Sequence, residues 1–363
     1  MGIRANHRGV TAAAAIVAAL AVARAEQQKY PAPGQLPNPY RLVDRWAQLP
    51  STMNGGKWGE VIRVHVDRDG VWVFHRCFNV VPEGSATCVN RGPANPPILK
   101  FDTSGRLIRS FGDGLFDYPH GFTVDADGNL WVTDVGDRDP KFGQQVLKLS
   151  PQGRVLMTLG KRGVAARGAE GFDRPTSVAV ARDGSVFVAD GHAPNKFGTG
   201  RIVKFSKDGR FVKEWGRLGS APGEFDEPHD LFIGGSRGWL YVADRKNNRI
   251  QVFDQDGTFI AAWTQFGQPS SVFVGADDAI YVGASFPDPA AKKGERRGIV
   301  VGNAISGALT AFIPDPADLD TVVRGTSASG IAADASGAIF AADVGTHNLR
   351  KYVRVSGRRP SRP

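Results

Sequence analysis

Residues 117–137 read DYPHGFTVDADGNLWVTDVGD, and residues 226–249 repeat the arrangement as DEPHDLFIGGSRGWLYVADRKNNR. In each stretch a Pro-His pair opens a run that alternates apolar and polar side chains. A Gly-containing turn and a second apolar run ending in Asp follow. Alternation with a period of two predicts half-buried β-strands, and Asp-Gly is typical of a tight hairpin turn. The repeat places two histidines at equivalent positions of a strand-turn-strand unit.

The unit recurs from residue 61 to residue 353. Its second strands read VWVFH (71–75), LWVTD (130–134), VFVAD (186–190), LYVAD (240–244), IYVGA (280–284) and IFAAD (339–343). The third strands read ILKFD, VLKLS, IVKFS, IQVFD, IVVGN and LRKYV. Successive second strands end 40 to 59 residues apart. This spacing predicts an all-β fold, a six-bladed β-propeller over residues 40–355, with a strand near residues 40–43 completing the last blade.

The N-terminus predicts export. Residues 1–25 have the basic, apolar and small-residue zones of a signal peptide, and the apolar part, residues 10–23, is short for a membrane span of about 20 residues. We expect a secreted or periplasmic protein without a membrane span; an uncleaved anchor is the alternative. Residues 26–39 are predicted to be a flexible segment and residues 356–363 a disordered basic tail.

The charge pattern disfavours nucleic acid as a partner. The chain carries 45 basic and 36 acidic residues, a net charge of +9, but these charges are scattered, whereas a nucleic-acid track needs a clustered stripe. We expect a monomer that binds a small molecule or a peptide. The basic insert FPDPAAKKGERRG (286–298) is a candidate surface for a protein partner.

Cysteine usage fits the exported state. The chain has two cysteines, Cys77 and Cys88, on either side of a loop that contains Pro and Gly. In an oxidising compartment this arrangement favours a local disulfide, although two unpaired thiols are the alternative.

Aligning the inner strands of the repeat brings polar residues together around the channel of a propeller. One level collects Ile62, His120, Thr176, His229, Ser270 and Ser329. The position after the second strand collects Arg76, Val135, Gly191, Arg245, Ser285 and Val344, with His192 one residue further. The two histidines of the repeat are thus predicted to face the same axis from alternate blades.

These residue types suggest a polar site at one mouth of the channel. Neutral imidazoles suit zinc or a similar ion, and arginine can hold a carboxylate in a bidentate grip. The alternative is a purely structural role: His120 and His229 would form local hydrogen bonds as turn residues, and Arg245 would form an ion pair with a neighbouring carboxylate. The Asp residues that end four second strands are most simply turn caps, at Asp134, Asp190, Asp244 and Asp343.

Several segments resemble a known family. VADRKNNRIQVFDQDGTFI looks like the NHL repeat, and VFHR, LFDYPHGFTVDADGNLWVTD, RPTSVAVARDGSVFVADG and RIVKFSKDGRFVKEWG resemble peptidyl-α-hydroxyglycine α-amidating lyase. The resemblance implies a six-bladed propeller with catalytic zinc and structural calcium that releases glyoxylate and an amidated peptide. It implies zinc ligation by His120 and His229, a carboxylate-binding role for Arg76, and calcium-binding backbone carbonyls at Val64 and Phe122.

The sequence departs from this family in the last blade. The third zinc histidine and a calcium carboxylate belong in a Pro-His-Asp triplet, where this chain has Ala328, Ser329 and Gly330. His192 stands where the family has a catalytic tyrosine, and either acts as a general base or supplies the third ligand. We expect zinc to bind weakly and calcium to lack its carboxylate.

Three functions compete. The first is a metal-assisted, lyase-like enzyme that uses Arg76, His192 and Arg245 at the channel mouth. The second is a non-catalytic propeller that binds a ligand or a protein. A calcium-dependent lactonase-like hydrolase is third, because it needs Glu, Asn and Asp side chains where the aligned ring offers His, Thr and Ser. The arginine and the two histidines favour the first.

Overall fold

The structure, a computed structural model, describes residues 31–77, 88, 96–137, 140–285, 297–316 and 328–355. The predicted signal peptide, nearly all of the basic insert and the basic tail lie outside these residues. The described residues contain 24 strands and three short 3-10 turns, at Pro33–Gln35, Asn54–Gly56 and Gly168–Glu170. None of the described helices has the length and apolar character needed to cross a membrane.

The strands form six four-stranded antiparallel sheets, the blades. The chain begins with β1 (Tyr40–Val43), which belongs to blade six. Blade one contains β2 (Val61–Asp67), β3 (Gly70–His75), β4 (Ile98–Phe101) and β5 (Leu107–Phe111). Blade two contains β6 (Pro119–Val124), β7 (Leu130–Asp134), β8 (Gln145–Leu149) and β9 (Val155–Gly160). Blade three contains β10 (Pro175–Val180), β11 (Val186–Asp190), β12 (Arg201–Phe205) and β13 (Phe211–Trp215).

The remaining blades follow the same order. Blade four contains β14 (Pro228–Gly234), β15 (Trp239–Asp244), β16 (Arg249–Phe253) and β17 (Phe259–Trp263). Blade five contains β18 (Pro269–Val274), β19 (Ala279–Ala284), β20 (Gly298–Asn303) and β21 (Leu309–Pro314). Blade six contains β22 (Gly330–Ala333), β23 (Ile339–Asp343), β24 (Asn348–Arg354) and β1. The predicted six-bladed propeller is confirmed.

The first strand of each blade lies next to the first strands of its neighbours, around the channel. The second and third strands are buried because both of their faces pack against adjacent blades. The apolar core is therefore divided among the interfaces between blades, where large side chains are fully buried, including Phe74, Trp131, Phe187, Tyr241 and Phe340.

The Asp residues that end the second strands cap the loops, as predicted. Asp134 accepts hydrogen bonds from the backbone N–H groups of Asp117 at 2.9 Å and Tyr118 at 2.7 Å. The equivalent carboxylates also accept backbone N–H groups, at Asp190, Asp244 and Asp343. Asp134, Asp190 and Asp244 fix the segments that lead into the inner strands of blades two, three and four, whereas Asp343 accepts from Thr346 N in the turn that follows it.

The ring closes by pairing the two ends of the propeller. β1 pairs antiparallel with β24, and Tyr40 lies opposite Arg354. Of the segment expected to be flexible, residues 31–39 are described, and the carbonyl of Pro37 accepts a hydrogen bond from Phe312 N in blade five at 3.1 Å. The predicted disulfide between Cys77 and Cys88 is present beside blade one.

Candidate metal and anion site

His120 and His229 enter the channel at irregularities in β6 and β14. The register with the second strand shifts between Pro119 and Phe122, and again between Pro228 and Asp230. Such bulges re-aim side chains. The two imidazole rings lie 4.7 Å apart between centroids, and both residues are buried. The prediction that alternate blades bring two histidines together is confirmed.

The protonated ring nitrogen of each histidine is fixed by a backbone carbonyl. His120 Nδ1 lies 2.6 Å from the carbonyl oxygen of Thr176, and His229 Nδ1 lies 2.7 Å from that of Ser270. A carbonyl only accepts, so each Nδ1 donates and each Nε2 keeps a lone pair. His120 Nε2 is buried and has no hydrogen-bond partner among the described residues. This is the tautomer that a ligating histidine requires.

His192 reaches the same point from the connection between β11 and β12. Its backbone N–H donates to the carbonyl of Arg174 at 3.0 Å, and its Nδ1 lies 2.9 Å from the carbonyl oxygen of Ala193. The His192 ring lies 4.9 Å from that of His120 and 5.8 Å from that of His229, between centroids. One ligand nitrogen from each of the three histidines lies within 4.8 Å of the others.

All three imidazoles are held neutral. Burial, reinforced by nearby positive charges, lowers the pKa of His120 and of His229 well below its usual value. Burial also lowers the pKa of His192 to about 3. Neutral imidazole is the form that binds borderline ions such as zinc, and catalytic zinc sites use three protein ligands. This three-histidine cluster (His120, His192, His229) therefore fits an ion of the zinc type.

Arg76 lies at the mouth but already holds a carboxylate of the protein. Its Nη1 donates to Glu60 Oε2 at 2.7 Å, and its Nε donates to the carbonyl of Pro119 at 3.2 Å. The guanidinium carbon lies 4.0 Å from the centre of the Tyr118 ring. An incoming anion would thus have to share Arg76 with Glu60 or displace it.

Arg245 is less tightly paired. Its Nη1 lies 3.9 Å from Glu227 Oε1, and the same carboxylate oxygen lies 3.7 Å from His192 Nε2. Burial raises the pKa of the Glu227 carboxyl and lowers the pKa of Arg245. Neither Glu60 nor Glu227 was singled out from the sequence, although Glu227 directly precedes a Pro-His pair. The long contact leaves Arg245 able to receive a carboxylate.

The positions expected to bind calcium line a different part of the channel. Val64 and Phe122 border a cavity of about 180 Å³ together with Arg63 and Asp230. Arg63 Nη2 lies 3.4 Å from Asp230 Oδ1, so the carboxylate of this cavity already faces a guanidinium group. A divalent cation would meet a fixed positive charge there. The residues of the cavity do not fit a calcium ion.

Comparison with known proteins agrees with this architecture. A family profile described as a 6-bladed beta-propeller matches residues 184–276, and a profile of the NHL repeat matches residues 116–137. The chain is a six-bladed β-propeller with an NHL repeat at residues 116–137.

The curated relatives of this six-bladed propeller include proteins named as lyases. It is 34% identical over 205 residues to a probable peptidyl-alpha-hydroxyglycine alpha-amidating lyase of Caenorhabditis elegans, which covers 54% of this chain and 55% of the relative. It is 40% identical over 164 residues to the peptidyl-glycine alpha-amidating monooxygenase of Mus musculus, which covers 43% of this chain and 16% of the relative. The chain thus spans about half of the first relative's length and much less of the second's.

A solved structure shares the fold of the propeller. A gluconolactonase from Xanthomonas campestris superposes with a TM-score of 0.52 at 17% identity, covering 90% of this chain and 97% of that one. At this identity the likeness shows the fold alone.

Proposed function

We propose that the protein is an exported, lyase-like enzyme that uses the three-histidine cluster as a metal centre and acts on a small or peptide substrate with an anionic group. The observation that carries this proposal is the convergence of three ligand nitrogens within 4.8 Å. Relatives named as α-hydroxyglycine amidating lyases support the reaction class. The disulfide between Cys77 and Cys88 supports export, because such bonds persist in oxidising compartments.

We assign His192 as the third ligand, in place of the histidine that blade six lacks. His120 and His229 are held on rigid strands, and His192 comes from a loop that folds over the same point. All three would present Nε2, because each Nδ1 is bonded to a carbonyl. Zinc, when bound, supplies a Lewis acid that polarises a substrate oxygen.

The two arginines at the mouth would orient the substrate through its carboxylate. The ion pair of the Arg245 guanidinium group with Glu227 is long, at 3.9 Å, so Arg245 can take a carboxylate at little cost. Arg76, stacked on Tyr118, adds positive charge from the opposite side but first has to release Glu60. The anionic end of the substrate would then lie over the histidines.

The expected substrate is a peptide that ends in α-hydroxyglycine. In this reaction the hydroxyl group loses its proton, the bond between the carbinol carbon and the amide nitrogen breaks, and that nitrogen gains a proton. The products are an amidated peptide and glyoxylate, so atoms and charge balance without another reactant. The site contributes neutral imidazoles, of which His120 and His229 are buried, and two guanidinium groups at the mouth.

Metal content and glyoxylate release test this proposal together. Purified protein should contain zinc or bind it when added, and should release glyoxylate from a hydroxyglycine-ended peptide in a zinc-dependent way. His120→Ala should lose zinc and lower turnover by at least about 100-fold, because a ligand is removed. His347→Asn is the control, since His347 is exposed with a φ of 51°, a conformation that Asn accepts. A protein with neither transition metal nor glyoxylate release would contradict the proposal.

A non-catalytic binding propeller is the second candidate. The contact between Arg76 and Glu60 at 2.7 Å favours it, because the arginine expected to hold the substrate is already neutralised. A hydroxyglycine-ended peptide that raises the melting temperature but yields no glyoxylate, with or without zinc, would support this alternative. Its partner would then be a small ligand, a peptide or a protein at the same mouth.

A further inference from the structure

Arg63 is a buried charge in the middle of the propeller. It lies on the inner strand β2 between Ile62 and Val64 and is only 3% exposed. Its guanidinium group crosses the channel, where Nη2 donates to the carbonyl of His229 at 2.9 Å and Nη1 donates to the carbonyl of Ile62 at 3.0 Å. Nη1 also donates to the carbonyl of Ser329. These three carbonyls belong to blades four, one and six.

A carboxylate completes the surroundings of this guanidinium. Asp230 Oδ1 lies 3.4 Å from Arg63 Nη2. The same carboxylate accepts a hydrogen bond from Ser177 Oγ at 2.7 Å and another from the backbone N–H of Val272 at 3.0 Å, in blades three and five. Burying a charge is costly unless it is paired and hydrogen-bonded. Three carbonyl oxygens and one carboxylate, gathered from distant parts of the chain, supply partners for Nη1 and Nη2, while Nε is buried without a hydrogen-bond partner among the described residues.

Gly330 in β22 packs closely against Arg63 and the carbonyl of Ile62 in β2. A Cβ atom on Gly330 would lie 2.7 Å from Arg63 Cα, 2.8 Å from the carbonyl oxygen of Ile62 and 3.2 Å from Arg63 Cδ. Two of these are backbone atoms and cannot move aside cheaply. A residue with a side chain at position 330 would therefore force β22 away from β2. Glycine allows the two strands to approach with Arg63 between them.

We propose that Arg63 is a built-in cation of the channel: it joins blades one, four and six at the axis and positions the backbone of His229 beneath the three-histidine cluster. Because its guanidinium group supplies the positive charge that these oxygens require, the propeller needs no metal ion at this level of the channel. Arg63 is a positioning residue, since it acts on the cluster through the main chain of His229.

A matched pair of variants tests this role. Arg249 is also buried, donates to Asp244 Oδ2 at 2.7 Å and donates to three backbone carbonyls, but it lies on the third strand of blade four, away from the channel. Arg63→Ala and Arg249→Ala should both lower the melting temperature. Only Arg63→Ala should weaken Co²⁺ binding at the cluster, by about tenfold or more, as for other residues that orient ligands. Equal Co²⁺ affinity in the two variants would overturn the positioning role.

Cation rescue tests the same proposal without the metal centre. Millimolar CaCl₂ should leave the melting temperature of the metal-free wild type unchanged. Methylguanidinium chloride at millimolar concentration should raise the melting temperature of Arg63→Ala and not that of Arg249→Ala. The reason is that Arg63→Ala leaves three carbonyls and the Asp230 carboxylate without their cation next to the cavity, where methylguanidinium can bind. Stabilisation of the wild type by calcium, or equal responses of both variants, would contradict the proposal. If Arg63→Ala does not fold, Arg63→Lys replaces it, with a smaller loss expected.

These readouts separate the two proposals. A wild type that binds no Co²⁺ would defeat the metal centre under "Proposed function". The calcium and methylguanidinium measurements would still decide whether Arg63 is the cation of the channel, since neither depends on the histidines.

Discussion

At the scale of single residues, the site depends on what each ring nitrogen bonds to. His120 and His229 use backbone carbonyls of the next blade to fix Nδ1, which leaves Nε2 facing the axis. The repeat made these two histidines predictable, because equivalent positions in a propeller are neighbours. Arg63 escaped prediction although the sequence VIRVHVD shows a lone arginine in an apolar strand. What it bonds to across the channel depends on blades that the local sequence does not describe.

His75 gives a prediction about pH that is independent of the metal centre. It is fully buried, its Nε2 lies 2.9 Å from the carbonyl oxygen of Pro96, and burial lowers its pKa to about 4 from the usual 6.5. Between these two values the unfolded chain binds more protons than the folded one, so stability falls as the pH drops from about 6.5 to about 4. From pH 7 to pH 5 His75 should account for about 2 kcal/mol of lost stability.

Urea unfolding of wild type and His75→Gln at pH 7 and pH 5 measures this share. The variant should lose about 2 kcal/mol less than the wild type over that interval. Parallel losses in wild type and His75→Gln would show that His75 does not titrate as its burial requires.

At the scale of elements, the strands were predictable and one loop was not. β7 and β11 have the bounds read from their alternating apolar patterns, because both are central strands whose side chains all face neighbouring strands or blades. The connection after β7, VGDRDPKFGQ, has the same length and the same Lys-Phe-Gly, but of these two connections only the one after β11, GHAPNKFGTG, carries a histidine. Its path over the channel, which brings His192 to the other two histidines, follows from contacts made outside the repeat.

Asp173 holds that loop in place, which yields a prediction. Its buried carboxylate accepts hydrogen bonds from the backbone N–H groups of Lys196 at 3.0 Å and Phe197 at 2.6 Å, and from Thr199 Oγ1 at 3.1 Å. Asp173→Ala should lower the free energy of unfolding by about 2–4 kcal/mol, since each lost hydrogen bond costs roughly 1 kcal/mol. It should also weaken zinc binding by about tenfold, because His192 loses its support.

The control for this variant is a turn carboxylate of the same blade. Asp183 accepts hydrogen bonds from Ser185 N at 2.8 Å and Ser185 Oγ at 3.0 Å, in the turn between β10 and β11. Asp183→Ala should cost about 1–2 kcal/mol for these two hydrogen bonds and leave zinc affinity at the wild-type value. Zinc titration of both variants decides the matter: unchanged affinity in Asp173→Ala would mean that His192 is positioned by something else.

At the scale of the whole molecule, closure of the ring determines whether the site exists at all. The histidines of blades two and four and the arginine of blade one meet only because six sheets are arranged around one axis. Blade six supplies the Ser329 carbonyl to Arg63, and its outermost strand is β1 from the other end of the chain. The pairing of β1 with β24 therefore connects the two ends of the propeller to Arg63 at the centre of the channel, through blade six.

A truncation prediction tests this coupling. Removing residues 1–43 deletes β1, exposes the edge of β24, and loses the buried Tyr40 ring, whose packing alone contributes about 3–5 kcal/mol. The truncated chain should melt at least about 10 °C lower, aggregate through the open edge and bind zinc more weakly, since blade six no longer holds Arg63 firmly. A chain that begins at residue 31 keeps β1 and is the control. Equal melting temperatures and equal zinc affinities for the two truncations, compared by calorimetry and zinc titration, would mean that the junction of β1 with β24 does not control the site.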